Sequence, residues 1–213
     1  MIEVKFSNKF IILGAGGFGY ELKDWISLYD HESIFLGFYD DYIKNELILG
    51  TINQISKQDI YGVKIFSAFG SSEMRKRIAD LLSVKSITFD SMISHESRLA
   101  KSSNIGQGSI LLGNASIAAK SKVGKCCLIQ GFSVIGHDVV CGDFVTVSSF
   151  AFIGGGAFIG DGVTLYPHAV ILPGVKVGSN SIIGAGSVVV ADVPSDVTVF
   201  GVPAKIIKRS NLK

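Results

Sequence analysis

The most constraining feature of this chain is an apolar residue, aliphatic at all positions but Cys141, that returns at every sixth position from residue 93 to residue 189. The seventeen positions are Ile93, Leu99, Ile105, Leu111, Ile117, Val123, Ile129, Ile135, Cys141, Val147, Ile153, Ile159, Leu165, Ile171, Val177, Ile183 and Val189. An amphipathic α-helix repeats its apolar positions at three and four residues, and a half-buried strand alternates at two. A sustained period of six is typical of a parallel β-helix, in which one short strand and one turn repeat.

The remaining positions of each hexad predict how side chains divide between core and solvent. The second residue is often Gly, and the fifth is small or β-branched, as at Ser121, Ala157 and Val163. We expect the first and fifth residues to point inward and the third and fourth to lie at outward corners. Three hexads close a triangular coil of about 18 residues, so the series predicts nearly six coils around a continuous aliphatic core.

The first ninety residues follow a different pattern, in which strand-like and helix-like segments alternate. Lys9–Leu13, Ile34–Tyr39 and 62–66 are strand candidates, and Ser72 is a candidate N-cap for a helix after the third. This alternation predicts a small parallel α/β sheet. We therefore divide the chain into an α/β domain at 1–90, a β-helix at 91–195 and a C-terminal capping strand and tail at 196–213.

Composition excludes several classes of protein. The formal net charge is +2 and the basic residues are scattered, so nothing favours nucleic-acid binding. The apolar stretches are too short for a membrane span, and the N-terminus is a poor secretory signal. Three unevenly spaced cysteines make a poor disulfide framework. We expect a cytoplasmic protein.

A glycine-rich motif, Gly14-x-Gly16-x-x-Gly19, lies between the first strand and the first helix. This spacing directs backbone N–H groups toward a phosphate at a helix N-terminus, although a tight turn without a ligand also fits it. Asp40 and Asp41 follow about twenty residues later, where an acidic residue can bind a ribose hydroxyl. Ninety residues are half of a full dinucleotide fold, so we expect a mononucleotide or a nucleotide-linked sugar rather than NAD.

The strongest catalytic candidate is His137, which hexad phase places outside the β-helix together with Asp138. A neutral imidazole is a natural general base, and Asp138 or Asp143 could orient it. A solvated corner histidine is the alternative interpretation. Gly155 follows one coil later, so we expect it to stack beside His137 and to offer a backbone N–H to an oxyanion.

Several motifs together resemble the sialic acid O-acetyltransferase and nucleotide-sugar N-acetyltransferase family of the left-handed β-helix, or hexapeptide-repeat, acyltransferases. They are the glycine-rich α/β domain, the uninterrupted hexads, Gly-His-Asp-x-x-x-Gly-Asp-Phe at 136–144 and Gly-Val-Pro-Ala-Lys at 201–205. The resemblance implies a small Rossmann-like parallel sheet followed by a left-handed parallel β-helix. It also implies a homotrimer.

The resemblance also implies roles for individual residues. His137 corresponds to the catalytic base and Asp138 to the acidic residue that tunes it. By the same match, the residues that contact the nucleotide part of the sugar substrate are Gly16, Gly17, Phe18, Asp40, Asp41 and Gly70. The resemblance places acetyl-CoA in a groove between neighbouring β-helices, with contacts at Thr146, Pro167 and Ala185. Gly155 is added to the coenzyme site because the 18-residue coil stacks it beside His137.

The function implied is transfer of acetyl from acetyl-CoA to the amino group of a nucleotide-linked amino-sugar, with a 4-amino-4,6-dideoxy sugar as the expected acceptor. O-antigen or other polysaccharide biosynthesis is the expected setting. The alternatives are an O-acetyltransferase acting on sialic acid or another glycan hydroxyl, and a non-catalytic nucleotide-binding β-helix subunit. We expect no metal, because His95 and His137 are more than two coils apart, about 10 Å along the axis at ~4.8 Å per coil.

Overall fold

The computed structural model describes residues 8–56 and 60–209, so the outer ends of the predicted first and last segments lie outside it. The α/β domain contains β1 Lys9–Leu13, α1 Gly17–Tyr29, β2 Ile34–Tyr39, β3 Ile48–Gly50, a 3-10 helix Ile52–Gln54, β4 Lys64–Ser67 and α2 Ser72–Ser83. Its four strands pair in parallel in the order β3-β2-β1-β4. The predicted parallel α/β sheet is confirmed.

The cap of α2 differs from the prediction by one residue. Ser71, not Ser72, is the N-cap, and its Oγ accepts a hydrogen bond of 3.2 Å from the backbone N–H of Met74. Either serine has a hydroxyl suited to capping, so the sequence alone does not distinguish the two positions.

The β-helix begins immediately after this domain and consists of seventeen two-residue strands spaced by six. They are β5 Met92–Ile93, β6 Arg98–Leu99, β7 Asn104–Ile105, β8 Ile110–Leu111, β9 Ser116–Ile117, β10 Lys122–Val123, β11 Leu128–Ile129, β12 Val134–Ile135, β13 Val140–Cys141, β14 Thr146–Val147, β15 Phe152–Ile153, β16 Phe158–Ile159, β17 Thr164–Leu165, β18 Val170–Ile171, β19 Lys176–Val177, β20 Ile182–Ile183 and β21 Val188–Val189. Each residue of the aliphatic series is the second residue of a strand. The fold class expected from the sequence, including the left-handed β-helix, is confirmed.

Parallel pairing joins residues that are 18 positions apart, as in Val134 with Phe152 and Ile135 with Ile153. The strands form three faces: a five-stranded sheet (β19-β16-β13-β10-β7), a six-stranded sheet (β21-β18-β15-β12-β9-β6) and an eight-stranded sheet. The eight-stranded sheet runs β23-β22-β20-β17-β14-β11-β8-β5, with β22 Val197–Gly201 and β23 Ala204–Arg209 added as an antiparallel pair at its end. This pair extends the β-helix beyond its last coil and covers an edge that would otherwise expose unpaired backbone groups.

The interior of the β-helix is a continuous apolar column in which small polar residues are also satisfied. The aliphatic positions from Leu111 to Val189 are buried, as hexad phase predicts. Serines at several fifth positions are fully buried, and their hydroxyls donate to backbone carbonyls. Ser121 Oγ, for example, lies 2.7 Å from the carbonyl oxygen of Gly136. Buried hydroxyls therefore keep hydrogen-bond partners and avoid a desolvation cost.

One face of the β-helix packs against the α/β domain. The outward residues Met92, Ile110 and Leu128 of the eight-stranded sheet are buried in one cluster with Phe10 and Leu22 of that domain. The domain therefore lies over the first coils of that sheet. Among the described residues, no helix is long and apolar enough to cross a bilayer.

Arg75 of α2 ties the two domains together. Its side chain is buried, and its guanidinium donates to the carbonyl oxygens of Cys126 at 3.0 Å and Phe144 at 2.9 Å, both in the β-helix. It also donates to the carbonyl oxygens of Phe69 and Gly70 in its own domain, at 3.0 and 2.9 Å. Burial lowers the pKa of Arg75 to about 10, so it stays protonated at neutral pH. The cation is held by neutral acceptors that belong to both domains.

We predict that Arg75→Met lowers the free energy of unfolding by about 3 kcal/mol or more, because several buried carbonyl oxygens lose their donor. Urea denaturation followed by circular dichroism measures this change. Arg77→Met is the matched control, since Arg77 is exposed on the same helix and its loss is expected to change stability by less than about 0.5 kcal/mol. Equal stability of the two variants would contradict the role given to Arg75.

Candidate active site

His137 and Asp138 form a hydrogen-bonded pair at one corner of the β-helix. The corner, residues 136–138, joins β12 of the six-stranded sheet to β13 of the five-stranded sheet. The Nδ1 atom of His137 lies 2.8 Å from Oδ2 of Asp138, and both side chains are exposed, by 72% and 55%. A carboxylate at Nδ1 favours the tautomer with its proton there, which leaves the Nε2 lone pair free to accept a proton.

The backbone at Asp138 explains why its carboxylate reaches the neighbouring ring. Asp138 has a φ of 56°, in the left-handed region, and its N–H donates to the carbonyl oxygen of Ala119 at 3.0 Å. Asp is among the residues that adopt this conformation most readily. The tight turn therefore places two consecutive side chains on the same side of the corner.

Gly155 lies beside the His137 ring, as the 18-residue coil predicts. A Cβ atom at Gly155 would lie 2.7 Å from both Nε2 and Cε1 of His137, closer than real Cβ contacts allow. The glycine therefore keeps the reactive side of the imidazole open. Among the hydrogen bonds of the described residues, none uses the Gly155 N–H. The predicted position is confirmed, while its role as an oxyanion donor is still a prediction.

The second candidate for orienting the histidine lies at another corner. The carboxylate of Asp143 accepts from the backbone N–H of Lys125 at 2.9 Å and lies 3.7 Å from the Lys125 ammonium. Asp138 is therefore the acidic partner of His137, and Asp143 links two successive coils.

Exposed apolar side chains flank the His137 corner on both adjoining sheets. Val134 and Phe152 belong to the six-stranded sheet, and Val140 and Phe158 belong to the five-stranded sheet. All four are between 37% and 46% exposed. A polar pair between two apolar faces is typical of a site that is completed by contact with another surface.

The glycine-rich turn has the geometry of an anion-binding site. Gly14 has a φ of 100°, and a Cβ at Gly19 would lie 2.2 Å from the Gly14 carbonyl oxygen, so the turn requires glycine at both positions. Gly16 is the N-cap of α1, and no atom lies within 4 Å of a Cβ placed at Gly16 or Gly17. With no acidic residue in the first turn of α1, the helix N-terminus is open toward a phosphate.

Both predicted ribose contacts already shape the loops around this turn. The Asp40 carboxylate accepts from the backbone N–H groups of Ala15, Tyr42 and Ile43 at 2.8 to 2.9 Å. Partial burial would raise the pKa of Asp40, but these hydrogen bonds outweigh it and lower the pKa below its usual value. Asp41 accepts from the N–H of Ile52 at 2.9 Å. Phe18 packs against the apolar cluster between the domains.

Gly70 follows β4 at the same sheet edge as the glycine-rich turn, since β1 and β4 are parallel neighbours. Gly70 and Ser71 border a groove of about 1060 Å³ between α2 and the eight-stranded sheet. The opposite wall includes Gln130, Ser148 and Tyr166. The groove is therefore rich in hydroxyl and amide groups.

The residues predicted to contact the coenzyme lie in two separate parts of the β-helix. Thr146 is buried on β14, where its hydroxyl accepts from Arg75 at 2.8 Å and lies 3.4 Å from the Gly70 carbonyl oxygen. Pro167 and Ala185 are stacked in successive coils at the Pro167 corner, residues 166–168, which joins the eight-stranded to the six-stranded sheet. Within one chain, the full width of the six-stranded sheet separates this corner from His137.

Sequence reasoning missed two features. Arg75 is in phase with Ile78 and Leu82 on the buried face of α2, which is the one signal that could have identified it. Phe132, Phe150 and His168 occupy equivalent positions in successive coils, and their spacing of 18 was readable from the sequence. Among the described residues, no group of three or more His, Cys, Asp or Glu side chains could hold a metal ion.

Two protein families match the chain. The PglD N-terminal domain matches residues 9–82, and the bacterial transferase hexapeptide family (six repeats) matches residues 156–191. The first match lies within the α/β region and the second within the later coils of the β-helix. Together with the solved structures described next, they bear out the family resemblance stated above.

Solved structures resemble almost the whole chain. PerB from Caulobacter crescentus, in complex with CoA and GDP-perosamine, is 25% identical with a TM-score of 0.84 over 94% of this chain and 97% of that one. The acetyltransferase domain of PglB from Neisseria gonorrhoeae is 26% identical with a TM-score of 0.86 over 94% of this chain and 100% of that one. A second structure of the PglB domain contains acetyl coenzyme A.

Shorter similarities connect the chain to curated serine acetyltransferases. The enzymes from Buchnera aphidicola and Synechococcus elongatus are 61% and 58% identical over 36 residues. These matches span 17% of this chain and only 13% and 15% of the curated proteins.

We predict that Gly155→Ala displaces the His137 imidazole, because the added methyl group would overlap Nε2 and Cε1. A crystal structure of the variant would show the ring moved by about 1 Å or more. Gly156→Asn is the control: no atom lies within 4 Å of its Cβ position, and Asn114 and Asn180 adopt the same positive φ at equivalent turns. An unmoved ring in Gly155→Ala would contradict the packing described here.

Proposed function

We propose that this chain, which joins a PglD N-terminal domain to a hexapeptide-repeat domain, transfers acetyl from acetyl-CoA to the amino group of a nucleotide-linked amino-sugar. The observation that carries the proposal is the His137–Asp138 pair, whose Nε2 atom is open beside Gly155. CoA and GDP-perosamine in the similar PerB structure, and acetyl coenzyme A in the PglB domain, support it. The expected acceptor is a 4-amino-4,6-dideoxy sugar.

The reaction uses His137 first as a base and then as an acid. Nε2 accepts a proton as the acceptor amine attacks the thioester carbonyl and forms the new C–N bond. The Gly155 N–H donates to the oxyanion of the tetrahedral intermediate. When the C–S bond breaks, the imidazolium returns its proton to the departing thiolate. Asp138 keeps the ring oriented and stabilises its charged form.

The α/β domain binds the nucleotide end of the acceptor. Phosphate oxygens accept from the open N–H groups of Gly16 and Gly17 at the start of α1. Phe18 and Gly70 border the same sheet edge. The free lone pairs of Asp40 and Asp41 accept from ribose hydroxyls.

The working assembly is a homotrimer with cyclic symmetry. Within one chain the His137 corner and the Pro167 corner lie at opposite edges of the six-stranded sheet, so a neighbouring copy is needed to bring them together. The exposed apolar side chains around His137 suit such a contact. Acetyl-CoA then lies between adjacent β-helices, near Pro167 and Ala185 on one copy and His137 and Gly155 on the other.

We assign residues 1–90 to nucleotide-sugar binding, residues 91–195 to acetyl transfer, and the C-terminal segment, which the structure describes from 196 to 209, to capping of the β-helix. The cytoplasm is the compartment where acetyl-CoA and nucleotide sugars meet, and polysaccharide biosynthesis, such as that of an O-antigen, consumes the product. The proposal includes no role for nucleic acid, membrane or metal.

A hydroxyl acceptor is the second candidate, favoured by the similarity of the repeats to serine acetyltransferases. The same base would remove a proton from a sugar hydroxyl, as on sialic acid. A panel of UDP-, dTDP- and GDP-linked amino-sugars, together with sialic acid, distinguishes the two when release of free thiol from acetyl-CoA is followed. Turnover on sialic acid alone would replace the first proposal, and binding of nucleotide without any turnover would indicate a non-catalytic subunit.

We predict that His137→Ala lowers kcat by about 10²- to 10⁴-fold, because the general base is removed. Steady-state kinetics with the best amino-sugar from the panel measures the loss. His31→Ala is the control, since His31 is exposed and outside the site. Normal kcat in the His137 variant would overturn the assignment, provided that circular dichroism shows both variants folded.

A further inference from the structure

Three ring side chains form a stacked column along one edge of the β-helix. The ring centroids of Phe132 and Phe150 are 5.2 Å apart with planes at 4°, and those of Phe150 and His168 are 5.0 Å apart with planes at 3°. The three residues have φ between 60° and 63°, so the rings project identically from successive coils. Their spacing follows the axial rise of about 4.8 Å per coil.

The column ends abruptly at the next equivalent position, which is Gly186. Its φ of 66° matches that of the ring-bearing residues, and no atom lies within 4 Å of a Cβ placed there. The face of His168 that points away from Phe150 is therefore bordered by a residue without a side chain. Phe200, the next ring along the axis, lies over Gly184, and within the described chain it forms no ring pair with His168.

We infer that this gap is a slot for one planar base, the adenine of coenzyme A, which stacks on His168 as the next ring of the column. The inference rests on the proposed function, because the slot adjoins Pro167 and Ala185. Adenine is the part of the coenzyme farthest from the thioester. Gly186 is 49 residues beyond His137 in the sequence, and at three hexads per coil this separates the slot from the base by about 13 Å along the axis.

The spacing of the rings in the column favours a flat base over a folded surface. The three rings of the column repeat at about 5 Å. Because position 186 is a glycine with open space around its Cβ position, one flat group can lie on the free face of His168, beside the Gly186 backbone. Stacking of a base on an aromatic side chain is favourable for every base, since it uses the ring face and needs no specific hydrogen bond. A side chain from a neighbouring copy is the competing occupant, and the experiment distinguishes it.

The test measures the dissociation constants of CoA and of 4′-phosphopantetheine by calorimetry. We expect His168→Ala to weaken CoA binding about tenfold and to leave phosphopantetheine binding unchanged, because only CoA carries the adenosine. His168→Phe preserves a flat ring and is expected to retain CoA affinity. Phe132→Ala is the matched control, since it removes an exposed ring of the same column that lies two coils from His168 and three from Gly186.

A second variant fills the slot. Gly186→Phe continues the column, and its backbone already matches that of Phe132 and Phe150. We expect CoA binding to weaken about tenfold or more while phosphopantetheine binding is retained. Because this variant adds a side chain and removes none, weaker CoA binding would result from blocking the slot and not from loss of a contact within the β-helix.

Three outcomes overturn the inference. CoA affinity unchanged in both His168→Ala and Gly186→Phe would exclude stacking, and equal weakening of CoA and phosphopantetheine would indicate a general distortion. Dissociation of the assembly in these variants, measured by light scattering, would identify the slot as a contact between copies. If the wild-type protein binds CoA but acetylates no substrate, the proposed function is overturned but the adenine site is not. If it does not bind CoA, both are overturned.

Discussion

The structure depends on one backbone constraint, the hydrogen-bonded register that joins each residue of the β-helix to the residue 18 positions away. Ile135 pairs with Ile153, and Val140 pairs with Phe158, without an insertion between the first and last strands of the series. This register buries the series from Leu111 to Val189 in one column. It also fixes what meets at each corner, since equivalent turns stack directly. Gly155 lies beside His137 for the same reason that Ile153 lies beside Ile135.

The same register made much of the molecule readable from its sequence. Hexad phase is enough to place Ile135 inside, His137 outside and Gly155 next to it, because a β-helix repeats one local conformation. The α/β domain was readable more coarsely, and the cap of α2 fell on Ser71 rather than Ser72 because neighbouring serines offer the same chemistry. The local sequence pattern was therefore enough to predict contacts wherever the contacting residues belong to the same repeating element.

Contacts between domains were not readable in this way. Arg75 occupies a helix position that suits an apolar residue, and its carbonyl acceptors in the β-helix lie more than fifty positions later in the sequence. No local signal marks those carbonyl oxygens, since every residue has one. Thr146 illustrates the same limit: hexad phase places it outward, but only the packing of α2 shows that its hydroxyl is engaged by the guanidinium. The distance between His137 and Pro167 likewise depends on how the coil closes in three dimensions, which places the two residues at opposite edges of the six-stranded sheet.

The way in which Arg75 is satisfied has a consequence for how the two domains move together. Its partners across the joint are peptide oxygens and one hydroxyl, none of which gains or loses a proton over the range in which proteins stay folded. A joint built from ion pairs loosens when its carboxylates are protonated or when salt screens them. The Arg75 contact does neither, so we expect this link between α2 and the β-helix to be insensitive to the acidity and ionic strength of its surroundings.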